Sequence, residues 1–178
     1  MGFRELRSFN LAILAKYGWR HLQEQDSLLY QCFKARYFPC SHFLDTVESP
    51  NCSYVWRSVM AAMPILKCRC CLRVKDGSFI RFHSNKWFPN HTTNKVLNPT
   101  NEEDGKWLVS DLIDLDLHWW RREFLISKFW KEDAKAICRI PLSCRHVLDS
   151  IIWFHDKNGM YSVKSGYHVA RQVMRDED

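Results

Sequence analysis

A chain of 178 residues, 46% hydrophobic and 26% charged, can form one ordinary domain or two very small ones with a real core, which excludes disorder and a collagen-like repeat. No run of about 18 apolar residues is free of charge, and the first ten residues carry three charges where an export signal would hold its apolar stretch, so an intracellular protein without a membrane span is expected. The formal charge of +6 is uneven, with 11 Lys/Arg against 5 Asp/Glu in residues 1–75 and 15 of each in residues 76–178. Attraction to phosphate fades over about 8–10 Å, so residues 1–75 are the expected contact with any nucleic acid. The eight cysteines, with no export signal, are expected as free thiols.

In chain order, Leu6, Phe9, Ile13, Leu14, Tyr17 and Leu22 form one apolar stripe and predict a helix over 6–23. Asp26 and Ser27 cap a second helix carrying Leu28, Leu29, Cys32 and Phe33, which stops where Phe38 meets Pro39. Residues 40–52 read as a loop, and Ser53 caps a third helix carrying Val55, Trp56, Val59, Met60 and Met63, ended or kinked by Pro64. Alternation on either side of Asp76 and Gly77 predicts a β-hairpin over 71–87. Residues 88–106, rich in Asn, Thr and acids, read as a linker. Helical pieces follow at 109–113, 119–129 and 130–138, before Ile140 and Pro141 break the pattern. A second hairpin is expected where 151–154 and 160–163 flank Asp156, Lys157, Asn158 and Gly159, and a last helix starts near Ser165 and runs to about Met174. The expected class is α+β, mostly helical with two small β-hairpins. Its organisation is a basic helical segment ending in a hairpin (1–87), a linker (88–106), and helices, second hairpin and C-terminal helix (107–178).

The six glycines, at 2, 18, 77, 105, 159 and 166, are too dispersed to cradle a phosphate, which excludes P-loop and Rossmann-type nucleotide binding. Asp111, Asp114 and Asp116 are the densest carboxylates, but their neighbours Leu112, Ile113, Leu115 and Leu117 make a solvated turn the simpler reading than a two-metal site. Cys68, Cys70 and Cys71 lack zinc-ligand spacing, and neither His83 and His91 nor Cys138 and Cys144 supplies a matching pair. No metal, cofactor or catalytic residue is therefore assigned. Trp19 and Trp56 stand beside Arg20 and Arg57, and Trp119 and Trp120 precede Arg121 and Arg122. Core filling is their first reading and stacking on unpaired bases the second.

Seven landmarks occur in one order: 9–20, ending in Tyr17, Gly18, Trp19 and Arg20; Ser27, Leu28 and Leu29 with 33–39; 53–58; 74–80 with Trp87; 109–114; Ile140, Pro141 and Leu142; and Trp153 with 159–167. Together they resemble plant LINE-type (non-LTR) retrotransposon polyproteins, in the stretch between the reverse transcriptase core and the zinc-binding and ribonuclease H regions. Departures are Cys70, Cys71, Leu72 and Lys75, where family members tend to carry an aromatic and a glycine, and Ser84, Asn85 and Lys86, where another acid precedes the tryptophan. The resemblance implies that the polymerase aspartates would lie before residue 1 and the ribonuclease H carboxylates after residue 178. A non-catalytic connecting fragment is thus expected, nuclear if it acts with a parent element. Its partners would be single-stranded RNA or an RNA/DNA hybrid and a neighbouring polymerase domain, with no membrane. Lys34, Arg36, Arg57, Lys67, Arg69 and Arg73 are the candidate phosphate contacts. The alternative is a purely structural packing segment without nucleic-acid contact.

Overall fold

A computed structural model describes residues 5–88, 107–114, 116–143 and 147–177. The chain forms two compact units, residues 1–70 with 153–178 and residues 71–152. It is α+β and mostly helical, with two small two-stranded sheets. The units differ from the division expected at 1–87 and 107–178, because the last helix belongs with the first. The expected linker lies outside the described residues except for Phe88, which is buried in the second unit.

In the first unit, α1 (Leu6–Gln23) packs against α7 (Val163–Glu177), α3 (Tyr54–Ala61) and α4 (Met63–Arg69). The buried face of α1 is not the expected large-residue stripe: it is Ser8, Ala12, Ala15, Gly18, Trp19, His21 and Leu22, while Leu6 is 79% exposed. Small residues let α7 approach closely, and α7 answers with Gly166 and Ala170, both buried. A Cβ on Gly166 would lie 1.8 Å from the Tyr161 hydroxyl, which donates to the Ala12 carbonyl at 2.7 Å. Trp153, fully buried, donates its indole N–H to Ser165 at 3.0 Å, and the Ser162 hydroxyl accepts from Ser165 N at 3.1 Å to cap α7.

Helix α2 (Leu28–Tyr37) starts as expected at Ser27, whose hydroxyl accepts from Tyr30 N, and α3 starts at Ser53, which accepts from Trp56 N. A 3-10 turn, Phe43–Asp45, interrupts the expected loop. Pro64 opens α4 instead of merely ending α3, since a missing N–H does no harm in a first helical turn.

In the second unit, β1 (Cys70–Arg73) pairs with β4 (Ser150–Trp153) instead of forming a hairpin with 79–82, although Leu72 N donates to Lys86 O at 2.6 Å. The segment expected to face it, 79–82, pairs with 107–109: Val109 N donates to Ile80 O at 2.8 Å and Phe82 N to Trp107 O at 2.9 Å. Asp149 holds the bend between these segments. Its carboxylate accepts from the N–H groups of Lys75 (2.8 Å), Gly77 (3.0 Å) and Phe79 (3.2 Å), so the Asp76–Gly77 bend wraps a side chain far along the chain.

The second expected hairpin is also absent. Trp153 N donates to Gly159 O at 2.9 Å and closes a turn, and 160–162 form no strand. The remaining sheet is the antiparallel β2 (Ile113–Asp114) and β3 (Trp119–Trp120), falling where helix was expected. After it come α5 (Arg122–Lys128) and α6 (Lys131–Cys138). Their core joins Ile80, Phe82, Trp87, Leu112, Trp120, Leu125 and Ile137. Trp87 and Trp120 satisfy their indole N–H groups on the Phe82 and Ile140 carbonyls, both at 2.8 Å.

Candidate nucleic-acid interface

The end of α2 is fastened to the start of α3 through one tyrosine. Tyr37 donates its hydroxyl to Ser53 Oγ at 2.9 Å and accepts from Ser53 N at 3.2 Å, bonds that pull its phenol below its ordinary pKa. Its ring stacks on Trp56 at 4.5 Å and 8°, and Trp56, fully buried, also meets Phe33, Phe38 and Phe43. Trp56 is thus a core residue, as its first reading required. Beside it opens a cleft of about 270 Å³, lined by Arg36, Tyr37, Val47, Ser49, Asn51 and Trp56. That is below the roughly 300–1,000 Å³ of a dedicated small-molecule pocket, so the cleft suits surface contact with one group of a larger partner.

Three of the six candidate cations border this region, and each sits over a tyrosine ring. Lys34 lies 5.9 Å from the Tyr30 centroid, Arg36 5.4 Å from Tyr37 and Arg57 5.8 Å from Tyr54. Arg57 is partly compensated by Glu48, 3.2 Å away. Lys34 and Arg36 are exposed and form no ion pair among the described residues. The other candidates are elsewhere: Lys67 and Arg69 are on α4, with Arg69 Nη2 donating to Gln172 Oε1 at 3.1 Å, and Arg73 is on β1 in the second unit.

The tyrosines under these cations were missed in the sequence, although Tyr30 to Lys34 and Tyr54 to Arg57 are spaced to share a helix face. So were the cations of α7: by folded unit, the first holds 13 Lys/Arg against 9 Asp/Glu.

Asp111 and Asp114 have structural roles. Asp111 accepts from Leu108 N at 2.9 Å, and Asp114 accepts from the N–H groups of Asp116 and Leu117, both at 3.1 Å. Among the described residues no three His, Cys, Asp or Glu side chains gather as a metal site would need, and seven cysteines are free thiols. Burial pushes the Cys71 thiol up to about 11, against the pull of Arg73 and Lys86, which makes it a poor nucleophile at neutral pH. No helix among the described residues is long and apolar enough to cross a membrane.

The geometry thus defines a helical α+β chain with tyrosine-backed cations on α2 and α3. Among known proteins, it is 31% identical over 98 residues to an uncharacterized mitochondrial protein of Arabidopsis thaliana, covering 55% of this chain and 64% of that one. It is 24% identical over 181 aligned positions to an Arabidopsis thaliana protein named "Putative ribonuclease H protein", covering 95% of this chain and 28% of that protein. The chain therefore spans under two thirds of each relative. No family model matches it, and no solved structure matches it.

Proposed function

We propose that this chain is a non-catalytic connecting segment of a plant LINE-type retrotransposon reverse transcriptase polyprotein, and that it helps hold template RNA or nascent DNA beside a polymerase domain. The observation that carries the reading is the α2–α3 junction, where Arg36 lies over Tyr37 at an open cleft, with Arg57 over Tyr54 on α3 and Lys34 over Tyr30 on α2. Cations neutralise phosphates, and the exposed ring of Tyr54 offers an unpaired base a stacking surface, whereas Tyr30 is buried; this pairing suits a single strand and is indifferent to its sequence. The ordered landmarks and the match along 95% of this chain to a small part of a longer plant protein support the retroelement origin. Lys67, Arg69 and Arg73 would add phosphate contacts, and the place of action would be the nucleus.

The test is fluorescence anisotropy of the chain with a labelled single-stranded RNA. Binding should weaken steeply between about 50 and 200 mM salt, and a Lys34→Ala/Arg36→Ala variant should bind less tightly. No binding at the lower salt refutes the reading. A second reading, a packing segment that contacts only neighbouring domains, draws on exposed apolar side chains of the second unit: Leu117, Trp119, Ile126 and Trp130 are each more than half exposed. It predicts no RNA binding and self-association of the isolated chain.

A further inference from the structure

Helix α7 carries a second array of positive charge. Its inward face, Ser165, Gly166, Tyr167, Val169 and Ala170, is buried, while Lys164, His168, Gln172 and Arg175 are exposed and Arg171 is half-buried. At 3.6 residues per turn, Lys164, His168, Arg171 and Arg175 fall within an arc of about 60° and extend about 16 Å along the helix. Arg69 joins them from α4 through its bond to Gln172. Phe154 N donates to Arg69 O at 2.9 Å, which brings His155 to the same edge. Burial first, then the charges of Arg69 and His168, hold His155 below its ordinary pKa, with Asp156 opposing.

This charge is largely uncompensated. Arg171 meets Glu5 at 3.7 Å, but Arg69, Lys164 and Arg175 form no ion pair among the described residues, and Arg69 Nε is buried without a hydrogen-bond partner. Solvated helix faces usually alternate signs and pair at i,i+4. Here Lys164, Arg171 and Arg175 repeat one sign along about 16 Å of helix, with the imidazole of His168 between them. A cationic row suits a ligand that carries a series of negative charges. The arc contains no apolar residue to enter a lipid surface, since the apolar side of α7 is buried.

We propose that the outer face of α7, with Lys164, His168 and Arg175 at its centre and Arg69 at its edge, is a contact track for the sugar-phosphate backbone of single-stranded nucleic acid. This rests on the nucleic-acid reading above and adds a site distinct from the α2–α3 junction.

The test compares the full chain with a Lys164→Ala/Arg175→Ala variant, both measured with a labelled single-stranded RNA. Each lost phosphate contact lowers the salt slope of log K by about 0.7, so the variant should lose about 1.4 from the slope and bind roughly 25-fold more weakly near 100 mM salt. On the unmodified chain, RNA should slow chemical acetylation of Lys164 more than that of Lys135, which is paired with Glu132. This readout does not depend on a variant folding. A chain that binds RNA while the variant keeps its affinity and slope, or while Lys164 gains no protection, overturns the track and leaves the proposed function standing. A chain that binds no RNA at low salt overturns both. Displacement of the RNA by polyglutamate at equal charge overturns the track in favour of an acidic peptide.

Discussion

Asp149 is the residue on which the arrangement of the second unit can be tested most sharply. Its carboxylate accepts three backbone N–H groups, at 2.8 Å from Lys75, 3.0 Å from Gly77 and 3.2 Å from Phe79. Asp149→Ala leaves all three without that acceptor. Phe79 is 66% exposed, so water replaces its lost bond at little cost. Gly77 is buried and Lys75 half-buried, and hydrogen bonds to a charged acceptor contribute about 1.5–3 kcal/mol each when dry. Discounting the Lys75 bond for its exposure, the expected loss is about 2–3 kcal/mol. Asp149→Asn keeps one carbonyl acceptor without its charge and should lose about 1 kcal/mol. Urea unfolding followed by tryptophan fluorescence gives the stabilities, and amide hydrogen exchange locates the change, with Lys75 and Gly77 exchanging faster in the alanine variant. An Asp149→Ala midpoint equal to that of the unaltered chain, or an asparagine variant weaker than the alanine one, would refute the account of the bend.

Gly77 sits at φ +72°, and an added Cβ would lie 2.6 Å from Ser110 N and 2.9 Å from Val109 C, both backbone atoms. Gly77→Ala should therefore lose more than about 2 kcal/mol in the same urea experiment, and a neutral result would mean the close approach is wrong. Trp56→Ala empties the centre of the first unit's aromatic cluster and should lose about 3–5 kcal/mol, with Trp56→Phe losing clearly less; equal losses would count against a packed ring at that site. His21 is buried among the rings of Tyr30, Phe33 and Phe43. Burial, aided by Arg20 and opposed by Glu24, holds its imidazole below the ordinary 6.5. Well above pH 6.5 it is neutral folded or unfolded; as the pH falls through that value the unfolded chain takes up the proton first, so stability is lost until the lower folded pKa is passed. His21→Phe should flatten that loss between about pH 7 and 5, apart from the share due to His155, and an unchanged acid sensitivity would contradict the buried imidazole.

Local chemistry was legible where a residue acts on its own neighbours. Ser27 and Ser53 cap the helices they were expected to cap, and the limits of α1 agree with its periodicity, because capping and helix period are settled within a few residues. The face of α1 was misread for a different reason: a stripe of large apolar residues is the usual core signal, yet a close crossing with α7 selects Ala12 and Ala15 and leaves Leu6 in water. At the candidate interface, the cations themselves were readable from charge. That Lys34, Arg36 and Arg57 stand over tyrosines, while Arg69 turns to α7 and Arg73 belongs to the other unit, was not.

The sequence alone determined the class, the starts of α1, α2 and α3 and the bend at Asp76 and Gly77, since these depend on backbone preferences and contacts a few residues apart. Only the tertiary structure decided which strands pair and where the charge collects. A strand's hydrogen bonds are satisfied equally by a near or a distant partner: β1 pairs with β4, and the Asp149 carboxylate beside β4 holds a bend about 70 residues before it. The return of α7 to α1 likewise places Lys164 and Arg175 in the unit that holds Lys34 and Arg36, a grouping that no count along the chain contains.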